Sequence, residues 1–432
     1  MRNGILWVVP LLLASVSLVE AQPPLPSVES APVNATLPEA TAAQEPKTAE
    51  PEPARPEVCF TPICQPTPRI TVSAEYLLWW VKPGPLNTPL LTTGALPDLP
   101  PGALGLPNTQ ILFGDRPMGY GTLSGVRLGA AIDLGGCLAL EGNYFALQTG
   151  SIRYLAASDA AGNPRIGRPF FNTLLVLNDS LGTSEPDPGI GPFAGSTAIA
   201  SHSQLQGWEI NLSSRQQLNN CWSLVGLAGF RSLQLNEDLS VQDNLTNIAP
   251  GVLTFLGQPI NQGDTLFDFD RFSVNNRFYG GQIGGRLEWQ NGSLAASMLG
   301  KIAFGVTQQI ATVDGGSVWN SGGALTSAPG GVLALPTNMG RYYRSTFSVV
   351  PEVGLNLAWN ITSQLKATFG YNYLYWTHVA RPGAQIDNNL NPSIMPTNQL
   401  FGLGQPGGRP AFNFQNSDYW AQGISFGLEF KF

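Results

Sequence analysis

The chain closes on Trp420-Ala421-Gln422-Gly423-Ile424-Ser425-Phe426-Gly427-Leu428-Glu429-Phe430-Lys431-Phe432, and the period of that stretch is two. One side carries Trp420, Ile424, Phe426, Leu428, Phe430 and Phe432; the other carries Gly423, Ser425, Gly427, Glu429 and Lys431. Successive side chains of a β-strand point to opposite faces, so this is a strand with one apolar and one wet side. The segment before it repeats the pattern, with Leu365, Ala367, Phe369, Tyr371, Tyr373 and Tyr375 opposite Lys366, Thr368, Gly370 and Asn372. A third sets Phe347, Val349, Val353, Leu355, Leu357 and Trp359 against Ser348, Glu352, Gly354 and Asn356. A soluble β-sandwich alternates in the same way, so the connections must decide.

Working outward, ten strands are expected near residues 70–82, 119–133, 137–148, 202–218, 221–240, 272–290, 293–311, 343–360, 363–376 and 418–432. Links after the even-numbered strands are tight: Leu134-Gly135-Gly136, Asn219-Asn220, Asn291-Gly292 and Ile361-Thr362. Gly and Asn are the residues that tight hairpin turns need at positive φ. Links after the odd-numbered strands run to roughly 30–50 residues, far beyond what a compact soluble domain uses. Strict short–long alternation is the pattern of a closed antiparallel up-and-down transmembrane barrel with short periplasmic turns and long extracellular loops. The count carries a margin of one strand pair (10–12), around Ser151 to Ala156 and Leu174 to Leu177. Aromatic residues at strand ends, Trp79, Trp80, Trp289, Trp359, Trp376 and Trp420, sit where interfacial girdles belong.

Composition agrees. Of 432 residues 43% are hydrophobic and 12% charged, about half the roughly 25% charged residues usual in soluble domains. The 49 Gly and 36 Pro argue against a mainly helical chain. A net charge of -7 with scattered Lys and Arg excludes a nucleic-acid footprint. Residues 1–21 have the form of an export signal: Met1-Arg2-Asn3, an apolar run from Ile5 to Val19, then Val19-Glu20-Ala21. Residues 22–68 hold 12 of the 36 prolines and six Glu against Lys47 and Arg55, which reads as a disordered periplasmic spacer. Of the four cysteines, Cys59 and Cys64 are placed to close a small loop in that region; Cys137 and Cys221 complete the set, and three pairings are formally open. The barrel domain is expected over 69–432.

Further motifs match a known family. Glu75-Tyr76-Leu77-Leu78-Trp79-Trp80 with Pro85-Leu86 and Leu91-Thr92-Thr93-Gly94, Phe278-Tyr279-Gly280-Gly281-Gln282, Tyr373-Leu374-Tyr375-Trp376, Arg381-Pro382-Gly383-Ala384-Gln385-Ile386-Asp387, and the terminal Tyr419-Trp420-Ala421-Gln422-Gly423 and Phe426-Gly427-Leu428-Glu429-Phe430 together resemble the BBP-type outer-membrane β-barrel family best known from planctomycetes. That resemblance covers about residues 70 to 432. It implies an outer-membrane barrel with no established biochemical activity and no catalytic residues to carry over. The final Phe432 resembles the C-terminal aromatic signal read by the barrel-insertion machinery.

On the inner faces of the expected strands stand seven acids (Glu75, Asp133, Glu141, Glu209, Glu288, Glu352, Glu429) and seven bases (Arg127, Arg215, Arg231, Arg286, Lys301, Lys366, Lys431). Ten strands enclose much less space than a wide porin, so these charges are expected to pair across the bore. In the loop from Thr377 to Ser417, Arg381, Asp387 and Arg409 are placed to pair and fold it over the mouth. Gly280-Gly281 and Gly284-Gly285 lie inside a strand, where Gly marks close packing and not a phosphate cradle. A rim hydrolase needs a His base near a nucleophile and an orienting group; the candidates are His202 with Ser201 or Ser203, and His378 with Asp387 or Asp418. No motif spacing supports either. The expected role is therefore structural or surface-interacting, without enzymatic activity or cofactor, in contact with outer-membrane lipid and an unidentified surface ligand. A narrow solute channel stands second and a rim hydrolase third, with a secreted ligand-binding sandwich as the soluble competitor.

Overall fold

The computed structural model describes residues 70–249, 253–405 and 407–432. The expected export signal, the proline-rich segment and the expected Cys59–Cys64 bridge lie outside the described residues. Of the remaining cysteines, Cys137 is disulfide-bonded and Cys221 is a free thiol.

Ten long antiparallel strands form one ring: β1 Ile70–Val81, β2 Thr122–Gly135, β3 Leu138–Leu147, β4 Phe193–Gln217, β5 Trp222–Asn247, β6 Thr265–Asn291, β7 Leu294–Ser321, β8 Gly340–Asn360, β9 Leu365–Val379 and β10 Ser417–Lys431. Each pairs with its sequence neighbour, and β1 closes the ring on β10 from Thr71↔Lys431 to Val81↔Ala421. The expected ten-strand antiparallel barrel is therefore what the chain builds. Gly150–Ala157 continues β3 along β4 after a one-residue register shift and adds no strand to the ring. The segment 174–177 is the tip of a hairpin, Ile166–Asn172 with Leu177–Ser184, in a small separate sheet of the loops.

Tight links lie at one end. Gly135 and Gly136 have φ of 84° and 61° and Gly292 of 60°, in the left-handed region that a side chain opposes. At the other end the expected long loops after β5 and β7 shorten to 248–264 and 322–339, because the strands run on. β4 to β7 have 25, 26, 27 and 28 residues, where about 9–11 suffice to cross a bilayer. β1, β2, β9 and β10 stop at 12 to 15 residues. The long strands thus raise a half-wall beyond the membrane zone. Loops from the short strands fill its inner side: Leu86, Leu90, Ile166, Phe170, Leu390 and Met395 pack on Ile199, Leu239, Val241, Phe272 and Val313.

The outer face of the lower barrel is an apolar belt. Ile132, Leu140, Ile210, Leu224, Ile283, Met298, Leu355, Leu357 and Leu428 are all exposed there. Tyr76, Trp80, Tyr144, Trp208, Tyr279 and Phe347 rim its upper edge. Two tryptophans expected in the girdle are not there. Trp79 and Trp376 are 1% and 0% exposed and point inward, because period two puts them on the face opposite Trp80 and Tyr375.

Candidate functional site

The bore is filled in layers. Nearest the tight turns, Lys366 reaches Glu429 at 2.8 Å, and Arg286 holds Glu288 at 2.7 Å and, from β6 across to β3, Glu141 at 3.0 Å; higher up, Arg127, 5.4 Å over the Trp79 ring, reaches Glu75 at 3.2 Å. Arg215 adds a contact to Glu288 at 2.9 Å, and Lys431 approaches Glu429 at 4.0 Å. Asp133 accepts from the Gly135 amide at 2.8 Å and belongs to the turn.

Above this lies a closed lattice. Arg231 of β5 donates to Glu209 of β4 (2.7 Å) and to Glu352 of β8; Lys301 of β7 reaches Glu209 at 2.6 Å and Glu352 at 3.5 Å. β5 and β8 are not neighbours, so the Arg231–Glu352 pair crosses the bore. Glu209, Arg231 and Glu352 are 3–5% exposed and Lys301 is 7% exposed. Asn143 at 2.7 Å and Gln282 at 3.1 Å donate to the remaining lone pairs of Glu209. Two bases against two acids, with polar groups filling the gaps, is the condition under which buried ions are tolerated. Gly284 makes the lattice possible: a Cβ there would stand 2.7 Å from Lys301 Cγ and 2.5 Å from the Gly300 carbonyl. Gly280 likewise sits against Phe304 and Phe278, so Gly280 and Gly284 serve strand packing as expected, whereas a Cβ at Gly281 or Gly285 would meet nothing closer than 3.6 Å.

The next layer is apolar. Leu77, Trp79, Phe145, Leu205, Leu233, Phe278, Val350 and Trp376 form one buried cluster across the whole ring. Trp376 packs edge-on to Phe278 at 6.1 Å and donates its indole N–H to Thr307 Oγ1 at 2.9 Å.

The loop lid begins above it. Arg381, fully buried, donates to both carboxylate oxygens of Glu237, to Oε1 at 2.8 Å, and lies over the Tyr419 ring. Asn276 exchanges two 2.8 Å hydrogen bonds with the Ala380 backbone. This corrects one expectation: Arg381 does not join Asp387 and Arg409, because a fully buried guanidinium needs a buried carboxylate and Glu237 supplies it. Asp387 and Arg409 do pair, at 2.7 Å, nearer the surface. Asp387 also accepts from the Ala411 amide (2.8 Å) and the Asn389 amide (3.0 Å). Burial raises its carboxyl, but the Ala411 N–H and the Arg409 and Asn389 donors outweigh that and hold it below the ordinary value. A depressed carboxylate stabilises above its unfolded pKa, about 3.9, and that contribution disappears as pH falls through the folded value. The ratio of pepsin cleavage of the 380–416 loop in Asp387→Asn to that in wild type is thus expected to be flat from pH 5 to about 4 and to fall towards one below it, the ratio cancelling the protease's own pH profile. Chymotrypsin cleavage after Phe412 at pH 8 should rise several-fold in Asp387→Asn; equal rates would show that the clamp does not order the loop.

Neither histidine assembles the constellation considered for a hydrolase. His202 faces outward and meets Asp238 at 3.3 Å. Ser201 and Ser203 point inward on the same strand, bonded to the Asp238 carbonyl (2.9 Å) and Glu237 (2.8 Å). Alternation separates each serine from the imidazole between them. His378 sits at a β-bulge with φ 55°, its carbonyl held by Gln309 at 2.7 Å, while Asp387 is committed to Arg409.

Sequence reasoning missed Glu237 and the polar groups Asn143, Asn211 and Gln282. Their parity with Arg231, Glu141, Glu209 and Glu288 was the available signal. It also missed Arg168, which is bound to Asp243 and to Asp270 (2.9 Å) inside the half-wall, on stretches read as loop.

A family model described as "Putative beta barrel porin-7 (BBP7)" matches residues 72–432. No curated protein matches the chain. Among solved structures, the outer membrane protease OmpT from Escherichia coli is similar at 8% identity and TM-score 0.39, covering 84% of this chain and 96% of that one. A Pseudomonas aeruginosa FadL homologue follows at 7% and 0.22, covering 83% and 89%. The Pseudomonas putida toluene transporter TodX gives 8% and 0.16, covering 84% and 89%. Likeness of this order carries no argument about activity.

Proposed function

Since the chain belongs to the BBP7 family of outer-membrane beta barrel porins, we propose that it is a filled barrel: a non-conducting, non-enzymatic structural element whose ordered loop lid offers a surface to other envelope components. The short turns face the periplasm, so both ends of the barrel domain do too, and the half-wall stands outside the cell. Phe432 is the handle for the insertion machinery. The observation that carries this reading is the bore itself, crossed by the Arg231–Glu352 and Lys301–Glu209 pairs and, one layer up, by the Trp79, Phe278 and Trp376 cluster. Among the described residues that apolar layer is buried and draws on every strand of the ring. The surface role rests on the lid, since ordered loops on a rigid scaffold are where recognition concentrates.

The test is planar-bilayer recording of refolded, detergent-purified protein that shifts on an SDS gel with heating. The expected result is a heat-modifiable barrel without step currents. Stable steps that diminish on Lys301→Met would instead establish the narrow channel.

A further inference from the structure

The upper half-wall has an outer face that none of the described residues covers. On the lower barrel every charged side chain of the described strands points inward; the first outward charge above the belt on β6 is Arg277, two residues or about 7 Å beyond Tyr279. Arg271 follows on the same face of β6. Arg341 follows on β8, over the ring of Tyr343 at 5.1 Å and six residues beyond Phe347. All three arginines are exposed and line one concavity of about 380 Å³, with His202, Asn236 and Asp238 on its far side. Among the described residues none of the three makes an ion pair within 4.0 Å. Asp238 is turned to His202, and Asp314 stands opposite Arg271 in register without bonding it. Arg277 is held in place: its Nε donates to Asn275 Oδ1 at 2.8 Å, and Asn275 is bonded to Asn236.

We propose that this groove binds the phosphorylated glycolipid headgroup of the outer leaflet, whose acyl chains lie on the belt below. Charge complementarity and continuity with the lipid-facing surface carry the assignment. Guanidinium groups bind phosphate oxygens in paired, charge-assisted hydrogen bonds. The three stand above Tyr279, Val306 and Phe347, where the bilayer changes from hydrocarbon to headgroup. From Arg277 to Arg271 the strand climbs about 20 Å, so the groove suits a large headgroup with more than one phosphate. The proposal rests on the orientation given above, and not on whether the bore conducts. Chymotrypsin cleavage of the 380–416 loop on intact cells reports that orientation separately.

Native mass spectrometry of the intact barrel in a neutral detergent tests it, with bis-phosphorylated lipid A and the same lipid stripped of phosphate as probes. The expected result is about tenfold tighter binding of the phosphorylated form, lost in the R271Q/R277Q/R341Q variant, which should keep its heat-modifiable band. Equal binding of the two lipids would overturn the proposal, as would unchanged binding by the variant. Displacement by inorganic phosphate at the lipid's own concentration would make this a free-anion site and refute the lipid assignment. A dimer that lipid does not dissociate would give the groove to a second copy and refute it too.

Discussion

Arg231→Met is expected to cost the folded barrel about 3–5 kcal/mol, because it strips one partner from a buried lattice and leaves Glu209 and Glu352 facing each other with Lys301 alone between them. Urea titration of the heat-modifiable band measures it. The control is a fourfold variant, Glu209→Leu, Arg231→Met, Lys301→Met and Glu352→Leu, which removes every charge at once. It is expected to be as stable as wild type or more so, since well-packed apolar replacements of buried ion groups are often neutral or stabilising by about 1–4 kcal/mol. A single variant as stable as wild type would show that the lattice does not hold the bore together.

Arg381→Met should cost about as much, but elsewhere. It abandons Glu237, 4% exposed, and removes the one guanidinium that ties the 380–416 loop to β5 and, through Nη2, to the Lys82 carbonyl at 3.3 Å. The Trp376 layer and the Arg231 lattice lie below that contact. Chymotrypsin should therefore cut the loop many times faster while the barrel keeps its heat-modifiable band and stays silent in a bilayer. Loss of the band would mean that lid and barrel fold as one unit, against the layered account.

The strand count, the alternation of turns and the inner charges were legible because the lower barrel has a single phase: apolar out, polar in. The half-wall was not, because the phase inverts where the strands leave the bilayer. On β5, Leu224 and Phe230 face outward, whereas Leu233, Leu235, Leu239 and Val241 face inward and Gln234, Asn236 and Asp238 outward. The same parity that sends oil to lipid below sends it to the loops above. A search for one constant pattern therefore stops near the inversion, which is why strands were expected to end at 240 and begin at 272. Arg381 was legible as a charged loop residue, but its partner was not: nothing local joins positions 144 residues apart.

The β1–β10 seam joins residues 70–81 to residues 421–432, which gives the fold a very high contact order. Until the last strand has been made, both margins of the growing sheet stay open, with unpaired backbone groups that invite pairing with other chains. Synthesis and closure cannot overlap. A chain that stops short of Ser417 is expected to be degraded or to aggregate, however sound its other nine strands.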